Sequence, residues 1–492
     1  MKKVIIIGAG FSGLASAALL AKQGLKVTVL EKNPIPGGRA GVFSSGGFTF
    51  DMGPSWYWMP DVFENFFGLF GKKPSDYYQL VRLDPSYRFY FGKNDLVDVP
   101  ASFEGILDTF EAIEQGSGKN LKRFLSEAEY KYKVAMSDFV FKPGLSVFEF
   151  MHPELLASAL RLHMFRSFDA HLRKYFRSER LRQMLEFPIL FLGGTAKNTP
   201  ALYSLMNYGD IKLGTWYPLG GMYKVVEAMV SLAESQGATI ITNCPVTGIE
   251  VKNGRITGVK TDKGFMEADL VVASADYHHV EQELIEEEHR VYSREYWKSR
   301  VLSPSSLIFF LGINRRLEGI EHHTLFFDED LGSHADNIYK DPKWPEKPSL
   351  YFSCTSRTDP SVAPEGMENL FVLIPLAPGL EDTDEIREKY FRIILDRFYR
   401  LTGQDISENI IFKRSYAHRD FEKDYHAFRG NAYGLANTLM QTAILKPRMR
   451  SRKLPNLFYA GQLTVPGPGV PPALISGQIV ASVIEKQLKT SI

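Results

Sequence analysis

An α/β fold is predicted, with an open parallel sheet assembled from distant parts of the chain and an α+β domain inserted between them. Three observations predict it. Val4-Ile5-Ile6-Ile7 is a short, continuous apolar run, the pattern of a strand buried on both faces, and it breaks at Gly8 into a helical stretch. In mid-chain, Ala238 to Thr242, Val246 to Val251, Ile256 to Thr261 and Ala268 to Ala273 read as strands separated by turns at Asn253-Gly254 and Asp262-Lys263-Gly264. Near the end, Leu457 to Ala460 is a further apolar strand that stops at Gly461. At 492 residues the chain is long enough for two or three units.

The N-terminal elements follow in order. Gly8 permits a tight turn out of the first strand, Gly10 lets backbone approach a pyrophosphate, and Gly13 lets the next helix pack close to the sheet. That helix runs from about Phe11 to Gln23 and is stopped by Gly24. Its first amides, at Phe11 and Ser12, and its positive dipole end would face phosphates. Lys26 to Leu30 alternates into a second strand ending at Glu31-Lys32, where a carboxylate accepts from both ribose hydroxyls. Strand, glycine turn, helix, strand and acid in this order predict a Rossmann-like dinucleotide cradle. FAD and NAD share this half-site. Gly37-Gly38-Arg39-Ala40 bears on the choice: two glycines allow close approach to a diphosphate and Arg39 can fork onto it, although a surface turn with an exposed Arg has the same residues. From Gly8 to Ala40 the sequence resembles the glutathione-reductase/amine-oxidase superfamily of FAD proteins, which implies that Arg39 and its neighbours sit near the flavin's phosphates.

At the other end, a glycine-rich turn leads into Ala473 to Ala481, a helix with proline in its first turn. Amides there would face negative charge accumulating on a reduced flavin, a provision that a nicotinamide does not need. The string Gly461-Gln462-Leu463-Thr464-Val465-Pro466-Gly467-Pro468-Gly469-Val470-Pro471 resembles the closing motif of bacterial-type carotenoid desaturases, phytoene desaturase above all, with Val465 where that family has His. Phe48 to Pro54, Trp216 to Met222 and Ala363 to Gly366 resemble the same family, so the likeness spans the chain. It implies non-covalent FAD held by Gly8, Gly10, Phe11, Ser12, Gly13, Glu31, Lys32, Gly38, Arg39, Gly53, Pro54, Val246, Gly461, Gln462, Gly469, Val470 and Pro471, with the Val246 backbone at the adenine. The FAD domain is then discontinuous, about 1–70, 210–290 and 440–492. Residues 71–209 and 291–439 would build the substrate domain, with a helical, membrane-facing part near 145–185.

Composition narrows the rest. A net charge of +1 gives no field for nucleic acid. Two cysteines, Cys244 and Cys354, form no disulfide framework and suit a reducing compartment, and neither lies in the closing motif to link a flavin covalently. The start has no signal-peptide pattern, and the apolar runs Leu307 to Ile313 and Leu370 to Ala377 fall short of the ~18 residues a membrane span needs. The expected location is cytoplasmic, peripheral on the inner face of the membrane. Thirty-five Phe and 23 Tyr can line an apolar pocket or fill large cores; Trp56-Tyr57-Trp58-Met59 admits the same two readings. His278-His279 and His322-His323 lack ligand spacing, so no metal site is expected.

Arg161 to Arg182 interleaves seven basic residues with Leu162, Phe165, Phe168, Leu172 and Phe176. It reads either as a basic amphipathic helix lying on an anionic bilayer or as a solvated helix with one face on the core. Glu149, in the apolar run Val147 to Met151, is the candidate acid/base. The resemblance implies desaturation of a C40 carotenoid, phytoene toward lycopene, with quinone or oxygen as the electron acceptor. The alternatives are a desaturase of a later, hydroxylated or cyclised carotenoid, an amine oxidase, and a non-catalytic escort of prenylated proteins.

Overall fold

The apolar N-terminal run becomes the central strand of a five-stranded parallel sheet in the order Leu457–Tyr459, Leu270–Ala273, Lys3–Ile7, Lys26–Leu30, Thr239–Ile241. Ile5 pairs with Val271 on one side and Thr28 on the other. This is a computed structural model, and it describes residues 1–146, 149, 162, 166–191 and 194–490. Val4 and Ile6 face a helical layer made of Phe11–Lys22, Tyr223–Ser235 and Val470–Thr490. Ile5 and Ile7 face a second core, shared with the antiparallel sheet Val246–Lys252, Arg255–Thr261 and Gly264–Glu267. Both faces are covered, which is why the run carries no polar alternation. The strand Gly264–Glu267 lies where the sequence indicated a turn running on toward Ala268.

The two terminal helices bind the chain's ends together. A Cβ built at Gly477 would stand 2.4 Å from the Ser12 carbonyl oxygen and 2.7 Å from the Ala15 Cβ. Only glycine lets Val470–Thr490 approach Phe11–Lys22 so closely.

A second, seven-stranded sheet has the order Ile410–Tyr416, Ser305–Ile313, Glu368–Leu376, Leu350–Ser353, His323–Phe326, Tyr87–Gly92, Asp95–Val99. Its two nine-residue strands, Ser305–Ile313 and Glu368–Leu376, pair antiparallel along their whole length and are buried throughout. These contain the apolar runs that were too short for a membrane span. The helix Asp384–Thr402 covers one face; on the other lies an aromatic core that includes Phe89, Phe187, Phe310 and Phe371. The hairpin Val42–Ser45/Phe48–Asp51 also sends Phe48 and Phe50 into this core.

The single basic helix expected over 161–182 is replaced, among the described residues, by two short ones, Phe168–Leu172 and Glu179–Phe191. Ser167 caps the first, accepting from the Ala170 amide at 3.2 Å. Between them, Glu114 accepts from the amides of Arg177 and Ser178 and fixes a non-helical step. Phe168, Leu172 and Phe176 are buried, Arg173 pairs with Asp169 at 2.9 Å, and Arg180 pairs with Asp95. Arg161, Met164 and Phe165 lie outside the described residues. Among the described residues no helix is long and apolar enough to cross a membrane.

Candidate functional site

The first strand ends at Gly8, whose φ of +98° turns the chain, and its amide donates to the Leu30 carbonyl at 2.8 Å. A Cβ at Gly13 would lie 2.1 Å from the Gly8 carbonyl oxygen, so Gly13 sets helix-to-strand packing and takes no part in the cavity wall. Gly10 behaves differently. Its Cβ would meet nothing within 4 Å, because Gly10 borders a cavity that Gly8, Phe11 and Ser12 also line. Gly10 is the helix N-cap and supplies no side-chain cap, so the first amides of Phe11–Lys22 face open space.

Glu31 lines the same cavity at 5% exposure. Its carboxylate accepts from the Ala9 amide at 2.9 Å and from the Asn33 amide at 2.9 Å, so it also holds the glycine turn in place. Lys32 lines the wall beside it and donates to the Lys423 carbonyl at 2.7 Å. Pro245 and Val246 line this end too, with His279, whose ring stacks on His426 at 3.9 Å and 8°. Burial lowers His279 to about 3, so it is a neutral aromatic surface at neutral pH.

Gly37 and Gly38 have φ of +113° and +56°, and a Cβ at Gly38 would lie 3.5 Å from the Gly10 Cα. The two glycine turns therefore stand against each other, and Arg39 lines the cavity beside them. Arg39 is half-buried, not an exposed surface residue. Its Nη2 donates to the Asn431 carbonyl at 3.3 Å, its guanidinium stands 5.3 Å from the Tyr425 ring centroid, and its Nε has no partner. With the Gln462 amide turned over, its oxygen accepts from Arg39 Nη2 at 3.1 Å. Burial pushes the Asp276 carboxyl up to about 6, although the charge of Arg39 opposes the shift.

The C-terminal strand delivers Gly461, with φ of +117°, into the same cavity, where its amide donates to Ser476 Oγ at 2.9 Å. Gln462, Gly469, Val470 and Pro471 line the wall, and the helix Val470–Thr490 begins there. Two helix N-termini thus open onto one cavity. Gly53 and Pro54 line it where it passes toward the seven-stranded sheet.

Beyond that point the wall is aromatic and apolar: Trp56, Trp58 and Met59 from one side, Ile308, Leu373 and Tyr351 from the sheet, with Tyr433. Tyr57 points away into the core and shares a 2.9 Å hydrogen bond with Tyr78. Both readings of the Trp56-to-Met59 stretch therefore hold, for different residues.

Glu149 is not in the wall. Its carboxylate accepts from the amides of Gly144, Leu145 and Ser146 at 2.9–3.0 Å, closing a local turn. An acid in an apolar run can fold back on its own backbone, and this one does; Val147, Phe148 and Met151 lie outside the described residues. Asp276, Tyr351, Tyr425 and Tyr433 also line the cavity and Asn431 accepts from Arg39, and the sequence expectations include none of them. Asp276 carried a signal, being just past the carboxyl end of a parallel strand, where α/β sheets bind ligands. The others sit in segments without motifs.

A model of the family described as flavin containing amine oxidoreductase matches residues 11–484. The chain is 40% identical over 482 residues to a carotenoid 3,4-desaturase of Haloarcula japonica, covering 98% of this chain and 97% of that one. The chain belongs to the carotenoid desaturases of this family. A zeta-carotene-forming phytoene desaturase of Myxococcus xanthus is 32% identical, over 97% of this chain and 93% of that one. A putrescine oxidase variant matches in structure with a TM-score of 0.63 over 99% of both chains, at 16% identity, which shows the shared fold. This carotenoid desaturase is an FAD-dependent oxidoreductase.

The residues present fit FAD. The open space at Gly10, the buried and unpartnered Nε of Arg39 and the paired helix N-termini are complementary to a diphosphate and an electron-rich ring.

Proposed function

We propose that this desaturase removes hydrogen from a C–C bond of a C40 carotenoid laid along the Trp56/Trp58/Tyr351 wall. The observation that supports the reading is continuity: one cavity joins the glycine cradle to that aromatic wall. FAD, when bound, would supply the two-electron acceptor for a hydride from an allylic carbon, while the adjacent carbon gives up a proton to a base or to the flavin itself as the double bond forms. Gly8, Gly10, Phe11, Ser12, Gly38 and Arg39 would hold its diphosphate, and Glu31 and Lys32 its ribose end, with Val246 at the adenine. Gly53, Pro54, Gly461, Gln462, Gly469, Val470 and Pro471 would enclose the ring. Gly13 acts by packing, and Glu149 by holding its turn. The apolar wall excludes water and aligns the substrate.

Two substrates follow from different observations. The closing motif speaks for phytoene. The 40% identity to a carotenoid 3,4-desaturase, against 32% to the phytoene desaturase, speaks for a later, hydroxylated or cyclised carotenoid. Peripheral membrane attachment, with quinone or oxygen as the final acceptor, belongs to the same proposal. The membrane attachment is supported by three exposed apolar residues, Phe141 at 41%, Met440 at 74% and Leu445 at 45%. Their segments meet where a Cβ at Gly144 would lie 3.4 Å from the Ala443 carbonyl oxygen.

The test is anaerobic incubation of the FAD-loaded protein with each carotenoid in liposomes. Flavin bleaching together with a red-shifted polyene band is expected. A flavin that stays oxidised with every carotenoid offered refutes the reading.

A further inference from the structure

The cavity wall carries polar groups for which a hydrocarbon has no use. Tyr351 Oη donates to Ser55 Oγ at 2.8 Å and shares a second 2.8 Å hydrogen bond with His323 Nδ1. Ser55 and Tyr351 line the cavity; His323 stands behind them, fully buried. Its ring lies flat on Trp56, 3.9 Å between centroids and 16° between planes, which fixes its orientation. His323 Nε2 has no partner.

The proton count gives this chain a direction. Burial holds His323 well below its ordinary 6.5, so the ring is neutral and carries one N–H. Placed on Nε2, that hydrogen would be a buried donor without an acceptor, the rarer kind of orphan. Placed on Nδ1, it donates to Tyr351, Tyr351 donates to Ser55, and the Ser55 hydroxyl hydrogen is left free to turn into the cavity. Ser55 directly follows Gly53 and Pro54, which line the passage between cradle and aromatic wall.

We propose that the Ser55–Tyr351–His323 chain is a specificity device: it donates one hydrogen bond to an oxygen on the carotenoid's end group and so selects an oxygenated carotenoid over the corresponding hydrocarbon. The proposal rests on the desaturase reading. Ser55 makes the contact, and Tyr351 and His323 are positioning residues that aim it. A donor left unpaired against a hydrocarbon penalises that substrate, so discrimination comes from the mismatch as much as from the match.

The experiment compares a carotenoid bearing an end-group hydroxyl with the hydrocarbon of the same skeleton, using FAD-loaded protein in liposomes and the rate of anaerobic flavin reduction. Wild type should prefer the hydroxylated substrate at least tenfold in kcat/KM. Ser55→Ala should bring that ratio at least tenfold nearer to one, and Ser55→Thr, which keeps a hydroxyl, should restore it. Should Ser55→Ala fail to retain FAD, Tyr351→Phe reads out the same ratio. A wild type that reduces its flavin equally fast with both substrates overturns this proposal and leaves the desaturase reading standing. So does a Ser55→Ala protein that slows both by one factor. No reduction with either substrate overturns both.

Discussion

Two glycines three residues apart should fail in opposite ways when each is given one methyl group. At Gly13 the new Cβ would stand 2.1 Å from the Gly8 carbonyl oxygen and 3.1 Å from Ser274 Oγ. The nearer atom is backbone, so the helix must move away from the sheet by roughly 1 Å or more to reach ordinary contact. Overpacking of this kind costs about 1–3 kcal/mol, and here it falls where the first helix, the first strand and the C-terminal helix meet. At Gly10 the backbone has φ −76° and ψ 179°, which any residue adopts, and the new methyl meets open space. Apoprotein stability should therefore change by less than about 0.5 kcal/mol. FAD binding should not escape so lightly. A methyl between backbone and diphosphate forfeits at least one charge-assisted hydrogen bond, about 1.5–3 kcal/mol, or roughly 10- to 150-fold in Kd. Thermal unfolding of the two apoproteins and FAD titration by flavin fluorescence separate the effects. The reasoning is refuted if Gly10→Ala binds FAD as wild type does, or unfolds as early as Gly13→Ala.

Three further outcomes are expected. Arg39→Lys keeps a charge but loses the planar fork that reaches Asn431 and stacks on Tyr425; FAD affinity should drop about tenfold in the same titration, and an unchanged Kd would remove Arg39 from the diphosphate site. Burial raises Asp210 from 3.8 to about 6, even though Tyr87 and Thr215 donate to it. An acid whose native pKa lies above its unfolded value binds its proton more tightly in the native state. It therefore favours the native state at low pH and penalises it as pH rises from about 4 through 6, by at most about 3 kcal/mol. Asp51, also raised to about 6 by burial, adds to the same slope, and Asp210→Asn should flatten it in urea denaturation; an unchanged slope would mean that Asp210 is not the source. Finally, Met440→Asp with Leu445→Asp should weaken sedimentation with anionic liposomes at least tenfold while leaving the flavin spectrum intact, and undiminished sedimentation would move the membrane contact elsewhere.

What could be read from the residues depended on how far away the deciding partner lies. The five-stranded sheet was legible because an apolar run and a glycine at its end are local facts, and they recur at Gly8 and Gly461. The basic stretch at 161–182 misled because its break is made by Glu114, more than sixty residues upstream, reaching the amides of Arg177 and Ser178. Glu149 misled for a different reason: apolar neighbours suggest burial of an acid, but they do not reveal three backbone amides folded around it. Alternation sends Trp56 and Trp58 to the cavity and Tyr57 to the core, and the φ of +56° at Met59 breaks that alternation, so Met59 lines the cavity too.

The C-terminal motif was informative beyond its own residues for a geometric reason. Gly477 lets the last helix touch the first at Ser12, and Ser12 lies in the first turn behind Gly10. This close approach, with the rest of the packing between the two helices, sets their N-termini relative to each other, and with them the distance between Gly10 and the turn at Gly469. On the proposed FAD site, a residue larger than glycine at 477 would separate its two halves. The coupling follows from packing alone: Gly477→Ala should weaken FAD binding although Gly477 is not among the residues that line the cavity.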